Sequence, residues 1–305
     1  RMKKIVFLLF FVFLVSCTQQ TPEGEEIATS CPPVCSGGST AVQSVINSPQ
    51  DEGNVYVGDR LAISMNLYDR GEASVEEGLV CLTGLDGELF SGLGGCQCES
   101  FYITIDDSDD ANFERTTIDF PTAFINEEAS GSQHLTVYTR YAYTSYAPFT
   151  LCLTGDPYNE EACSVEGNKL SSSSSGPLQV NSVTEEITTQ GGNSITLRVH
   201  VEAEVNTADT AQMIELEEVS EDSCLLLNTD EKTQADISVI LFGESHDCGS
   251  ITFDQGEEEA EVTCKIENID TQQFIGGEND YDGWIRIDYG YQEIQSVSFD
   301  VLAQG

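Results

Sequence analysis

Leu61-Ala62-Ile63-Ser64-Met65-Asn66-Leu67 puts an apolar side chain at every second position, with small or polar residues between. A period of two matches a β-strand, whose successive side chains point to opposite faces, so one face is buried and the other wet. The pattern returns in Ile195-Thr196-Leu197-Arg198-Val199-His200-Val201 and in Ile285-Arg286-Ile287-Asp288-Tyr289-Gly290-Tyr291. Glycine and Asp or Asn clusters punctuate these runs, as at Asp69-Arg70-Gly71, Leu93-Gly94-Gly95 and Gly276-Gly277. Only Phe124 to Ser130 and Ala208 to Ser220 carry a weak helical period. The sequence predicts an all-β chain of two antiparallel β-sandwiches.

The two predicted sandwiches read as copies of one design. Ile103-Thr104-Ile105-Asp106 matches Ile251-Thr252-Phe253-Asp254 at an offset of 148 residues, and Ile118-Asp119 matches Ile266-Glu267 at the same offset of 148. Tyr141-Ala142-Tyr143 matches Tyr289-Gly290-Tyr291, again at 148, whereas Gly58-Asp59-Arg60-Leu61 matches Gly192-Asn193-Ser194-Ile195 at 134. The second copy therefore carries about fourteen extra residues (148 − 134) before its Ile251 strand. Between the copies, Lys169-Leu170 leads into Ser171 to Ser175 and Gly176-Pro177, a composition that reads as a flexible linker. The expected divisions are a signal over 1–16, a tether over 17–39, sandwiches over 40–168 and 178–305, and the linker over 169–177.

The N-terminus sets the expected compartment. Arg1, Lys3 and Lys4 precede an unbroken apolar run from Ile5 to Val15, the layout of a secretory signal and short for a spanning helix of ~20 residues. The run ends in Leu14-Val15-Ser16-Cys17, which resembles the lipobox of prokaryotic lipoproteins. That resemblance implies cleavage before Cys17 and a lipid on its thiol, and hence a membrane anchor at the cell surface. Thr18 to Ser30, with Glu23, Glu25 and Glu26, reads as a solvated tether.

Val55-Tyr56-Val57-Gly58-Asp59 leading through Leu67 to Asp69-Arg70-Gly71 resembles the opening of immunoglobulin-like adhesion-type domains of prokaryotic cell surfaces. Asp69 stands where those domains usually place Asn. The resemblance implies two tandem immunoglobulin-like sandwiches and a surface location, and no ligand.

Charge narrows the partners. Removing residues 1–16 leaves 53 acidic against 9 basic residues (12 − 3), a formal charge of −44 (9 − 53). Nucleic acid is excluded, since phosphate binding needs clustered Lys and Arg. Anionic headgroups are repelled as well, so a membrane link must be covalent. The expected partners are a protein or glycan at the surface, or further copies of the chain. Self-assembly into a filament or lattice by strand exchange is the alternative to a binding module, with Ala41 to Gln50 and its Val42, Val45 and Ile46 as the strand to be exchanged.

Beyond Cys17 there are ten cysteines: Cys31, Cys35, Cys81, Cys96, Cys98, Cys152, Cys163, Cys224, Cys248 and Cys264. An even set in an exported chain argues for disulfides, and the absence of paired C-x-x-C spacing argues against structural zinc. Seven of the ten precede the serine run, so full pairing within the chain requires at least one bridge between the halves. The expected local pairs are Cys81 with Cys96 or Cys98, Cys224 with Cys248, Cys152 with Cys163, and Cys31 with Cys35.

Catalysis finds little support. No Gly-x-Ser-x-Gly is present, and His134, His200 and His246 each stand alone, His200 on the polar side of its strand. No cofactor is expected, with Ca²⁺ the one candidate ion. The acidic run Asp106, Asp107, Asp109, Asp110 and the pair Asp280, Asp282 are the candidate ligands, because Ca²⁺ collects carboxylate oxygens from tight loops. Tyr138, Tyr141, Tyr143 and Tyr146 are candidates for a binding face or for sandwich packing. The chain has no Asn-x-Ser/Thr sequon, which removes N-glycosylation from consideration.

Overall fold

A computed structural model describes residues 41–49, 53–104, 115–153, 163–191, 194–206, 211–221, 223–224, 232–254, 257–270 and 280–303. The described chain is almost entirely strand, and its sheets are antiparallel but for one short parallel pairing. Among the described residues the lone helical element is a 3-10 turn, Leu216–Glu218. The weak helical periods resolve differently: Phe124 and Ile125 end a strand, and Ala211–Ile214 forms one.

In the first half, β1 (Val42–Ser48), β4 (Ser64–Asp69) and β8 (Arg115–Asp119) form a three-stranded sheet in the order β1-β4-β8. In the second, β11 (Leu178–Gly191), β12 (Ser194–Val205) and β16 (Glu259–Asp270) form its counterpart, β11-β12-β16. The alternation seen in sequence is the cause: Leu61, Ile63, Met65 and Leu67 are buried, as are Ile195, Leu197, Val199 and Val201. The turn before the first of these runs is closed by Asp59 N–H donating to the Tyr56 carbonyl at 3.1 Å, with Gly58 at φ 82°. A small sheet of β3 (Arg60–Leu61), β6 (Phe90–Ser91) and β9 (Ala123–Ile125) closes one end.

Both three-stranded sheets share one hydrophobic core with a large central sheet. Its backbone is a pair of long strands, β10 (Gly131–Cys152) and β17 (Asp280–Leu302), antiparallel from Gly131↔Val301 to Cys152↔Asp280. The outer strands on the first-half side are β5 (Val75–Thr83) and β7 (Gln97–Ile103), and on the second-half side β14 (Thr233–Leu241) and β15 (Glu244–Phe253). β5 pairs only Thr136 to Tyr141 of β10, while β14 pairs only Gly283 to Asp288 of β17. Each long strand thus completes its own half with its first part and extends the other half's sheet with its second. β2 (Gly53–Tyr56) confirms the exchange from the first half, running parallel to the β17 end at Val55↔Val301.

One expectation changes here. Residues 169–177 do not behave as a flexible linker. Ser174 and Ser175 are 0% and 5% exposed. Ser171 and Ser174 N–H groups donate to the Pro148 and Tyr146 carbonyls at 2.9 and 2.8 Å, and Ser174 Oγ accepts from Tyr146 N–H at 2.8 Å. Small side chains let this segment lie against the β10 edge, where its backbone groups are paired and not solvated. β1, from the segment expected to exchange, is seated on β4 of its own half with Val42 buried opposite Asp69. The expected sandwiches over 40–168 and 178–305 are consequently joined through a common sheet, not by a tether.

Candidate functional site

The seam between the halves brings together what the sequence kept 148 residues apart. Ala142 pairs with Gly290, Tyr141 with Tyr291 and Tyr143 with Tyr289. Since Ala142 and Gly290 are also counterparts in the repeat, the halves are related by a pseudo-twofold axis through that pair, like the self-complementary interface of a dimer.

On the inner face the four tyrosines pack edge to face or tilted, with centroids 5.5 Å apart for Tyr141 and Tyr291 and 6.1 Å for Tyr143 and Tyr289. Tyr143 Oη accepts the N–H groups of Glu72 and Ala73 at 2.9 and 3.1 Å and donates to the Ser175 carbonyl at 3.3 Å. Ser145 Oγ donates to the Leu178 carbonyl at 2.6 Å and lies 3.1 Å from Tyr289 Oη. Burial pushes the phenols of Tyr141, Tyr143, Tyr289 and Tyr291 up, so they remain neutral donors. Of the tyrosines proposed for a binding face, Tyr141 and Tyr143 are therefore core, and Tyr146 is 8% exposed.

The outer face is where the two sides of the axis differ. On one side, Arg140 and Gln292 face each other and are both fully buried, Arg140 Nε donating to Gln292 Oε1 at 2.7 Å. They lie beneath the extra segment of the second copy, which pairs as β13 (Ala211–Ile214) with Gly290 to Glu293 and then turns across the face. Arg140 Nη1 donates to the Glu221 carbonyl at 2.7 Å, and the negative charges of Glu221 and Glu218 oppose the effect of its burial. Ile214 and Val219 pack on Ala142.

Among the described residues the first copy has no such segment. The counterpart pair, Thr144 and Asp288, lies in an open groove of about 760 Å³ lined by Ala73, Ser74, Glu76, Glu77, Asp236 and Arg286 among others. Thr144 Oγ1 donates to Asp288 Oδ1 at 2.6 Å, and Arg286 Nε lies 3.0 Å from Asp288 Oδ2. Asp236 stands directly opposite Asp288 across the β14–β17 ladder, a like-charge pairing that costs stability. On the β10 edge beside this groove, the β5 ladder stops at Tyr141↔Gly78 and hydrogen bonding resumes at Tyr146 with Ser174.

Sulfur chemistry also gathers at the seam. Cys81 bonds Cys98 across β5 and β7, and Cys96 bonds Cys224, joining the halves covalently. The four sulfurs lie within 4.8 Å of one another, with Cys96 Sγ and Cys98 Sγ 3.7 Å apart. Four sulfurs so placed would suit a tetrahedral cation as thiolates, but paired as disulfides they offer none. Cys152–Cys163 and Cys248–Cys264 complete the bridges among the described residues. The expected Cys224–Cys248 pair is not formed. Cys264 points into the core of β16 at 1% exposure, within reach of Cys248 on the neighbouring edge strand β15. Distance along the chain could not show that a cysteine on the opposite sheet is nearer.

The remaining candidates scatter. Asp106, Asp107, Asp109 and Asp110 lie outside the described residues, as do Cys17, Cys31 and Cys35. Asp280 and Asp282 are exposed at the start of β17, and Asp282 Oδ1 accepts from Thr150 Oγ1 at 2.8 Å. His200 is half-buried beside Thr263, with its Nδ1 2.8 Å from Thr263 Oγ1, while the exposed His134 makes a similar pair with Ser298 at 2.8 Å. The groove residues Glu76, Glu77, Asp236 and Asp288 were missed by sequence reasoning, because in so acidic a chain nothing marks four carboxylates until the strands place them. Comparison with known proteins found no family model that matches the chain and no curated protein similar to it.

Proposed function

We propose that this chain is an exported surface protein, held to the outside of a membrane by lipid on Cys17, whose folded part is a non-catalytic binding or envelope module. The observation that carries the reading is the basic, apolar and Leu14-Val15-Ser16-Cys17 succession at the N-terminus. Disulfides across the seam and within each half suit an oxidising, extracytoplasmic compartment. The shared sheet gives a stiff body for presenting a surface, and the immunoglobulin-like resemblance of the Val55–Gly71 stretch belongs with adhesion-type modules. The hydroxyls of Tyr143 and Tyr289 accept backbone N–H groups, a structural use.

The test is fractionation of bacterial cells producing the full chain or its Cys17→Ser variant. The parent should sediment with membranes and be cut by protease added to intact cells, while the variant should appear in the soluble fraction with its fold unchanged. A Cys17→Ser protein that stays wholly with the membrane would overturn the anchor.

A further inference from the structure

The two sides of the pseudo-twofold axis have the same floor and different covers. At an offset of 148, Arg140 corresponds to Asp288, Gln292 to Thr144 and Gly290 to Ala142. On the covered side, the cationic floor residue Arg140 lies under a segment whose Glu221 carbonyl accepts from it and whose Glu221 and Glu218 charges act on it through space. That segment enters as a short strand on the edge residues Gly290 to Glu293. The fit is close: a Cβ on Gly290 would come within 2.8 Å of the Glu215 carbonyl oxygen and 2.9 Å of Ile214.

On the open side the charge is reversed. Asp288 takes the place of Arg140, and Asp236, Glu76 and Glu77 join it around the groove against the single cation Arg286. The edge residues equivalent to Gly290 to Glu293 are Ala142 to Ser145, where the β5 ladder has ended. Leu216, 41% exposed, overlooks the groove from the end of the covering segment.

We propose that this open side is a docking groove for an extended, lysine- or arginine-bearing segment of a partner protein. The segment lies along Ala142 to Ser145 as Ala211–Ile214 lies along β17. Main-chain hydrogen bonds to a strand edge hold it, and the alternate side chains that point at the groove floor carry the positive charge. Glu76, Glu77, Asp236 and Asp288 select that charge, and they also raise the association rate at low salt. The proposal rests on the reading of the folded part as a surface binding module, and it names the partner's chemistry.

The experiment is fluorescence polarisation of the chain from Thr18 onward with a fluorescein-labelled decapeptide of alternating lysine and threonine, at physiological salt. A matching glutamate–threonine peptide serves as comparison. Saturable binding of the lysine peptide is expected, with loss of at least tenfold in affinity in the Glu77→Lys/Asp236→Lys variant. Amide exchange should slow at Ala142 to Ser145 on binding. Glu259→Lys/Glu261→Lys, on the exposed face of β16, controls for general attraction to an acidic protein. Equal loss in both variants, or no saturable binding, overturns the groove. So does a dimer in size-exclusion chromatography that only the groove variant dissociates, since the occupant would then be a second copy. None of these outcomes touches the anchor, which the Cys17→Ser fractionation tests separately.

Discussion

Gly71 lies so close to Tyr143 that a Cβ at position 71 would fall 1.8 Å from Tyr143 Oη. The glycine ends the first alternating strand in an Asx-type turn, its N–H donating to Asp69 Oδ1 at 2.8 Å, and the tyrosine fills the space that its missing side chain leaves. Tyr143→Phe should therefore destabilise the protein by about 1–3 kcal/mol, because a buried and a part-buried N–H group lose their acceptor. Gly71→Ala should cost more in the parent than in a Tyr143→Phe background. A double-mutant cycle from urea unfolding measures this, and additive effects would show that the two residues do not meet.

Separated halves should not fold alone. The second part of β17 supplies strand to the first half, and β10 does the same in return. Chains 18–168 and 169–305, expressed apart, should lack cooperative melting, and refolding them together should give a one-to-one complex by light scattering. A stable monomeric half would refute the reciprocal arrangement.

Replacing Cys96 and Cys224 together by Ser should lower stability by about 2–4 kcal/mol, as expected for a bridge closing a long loop. The single Cys224→Ser variant should behave differently. Its free Cys96 thiol lies 3.7 Å from Cys98 Sγ, so peptide mapping should find Cys96–Cys98 alongside Cys81–Cys98. Mapping that returns only Cys81–Cys98 would mean the sulfurs do not exchange.

Glu185 provides a pH test. Its side chain is fully buried, 3.0 Å from Lys169 Nζ and accepting from Cys152 N–H at 2.9 Å. Burial nonetheless pushes its carboxyl up, against the Cys152 N–H and Lys169, which pull it down. Between the unfolded value of about 4.3 and the raised folded value, the folded state holds more protons, so this group's contribution to stability falls as pH rises through that window. Relative to Glu185→Gln, the parent should gain melting temperature as pH is lowered through that window toward about 4.3. A constant difference between the two proteins would show that Glu185 titrates alike folded and unfolded.

The alternation at Leu61–Leu67 and Ile195–Val201 made the three-stranded sheets legible, because one buried face writes itself into a period of two. The match of Tyr141-Ala142-Tyr143 with Tyr289-Gly290-Tyr291 exposed the duplication for a similar reason: both triplets occupy the same place on one axis. What the sequence did not show is that these triplets touch. Pairing between residues 148 apart leaves no local periodicity, and nothing in Ser171–Ser175 distinguishes serines packed on a strand from serines in water. The groove was invisible for the same cause, being made of side chains from β5, β10, β14 and β17 that only the seam assembles.

The reciprocal strands also bear on how the chain comes into being. Synthesis delivers the first half well before residues 280–302 emerge, yet that half's central sheet is completed only by those residues, with Gly131 paired to Val301 across 170 positions (301 − 131). Partners so distant in sequence make for slow folding and a long exposure of unpaired edges. The first half of the nascent protein therefore keeps an open strand edge until residues 280–302 have been made, and the two long strands close on each other only then.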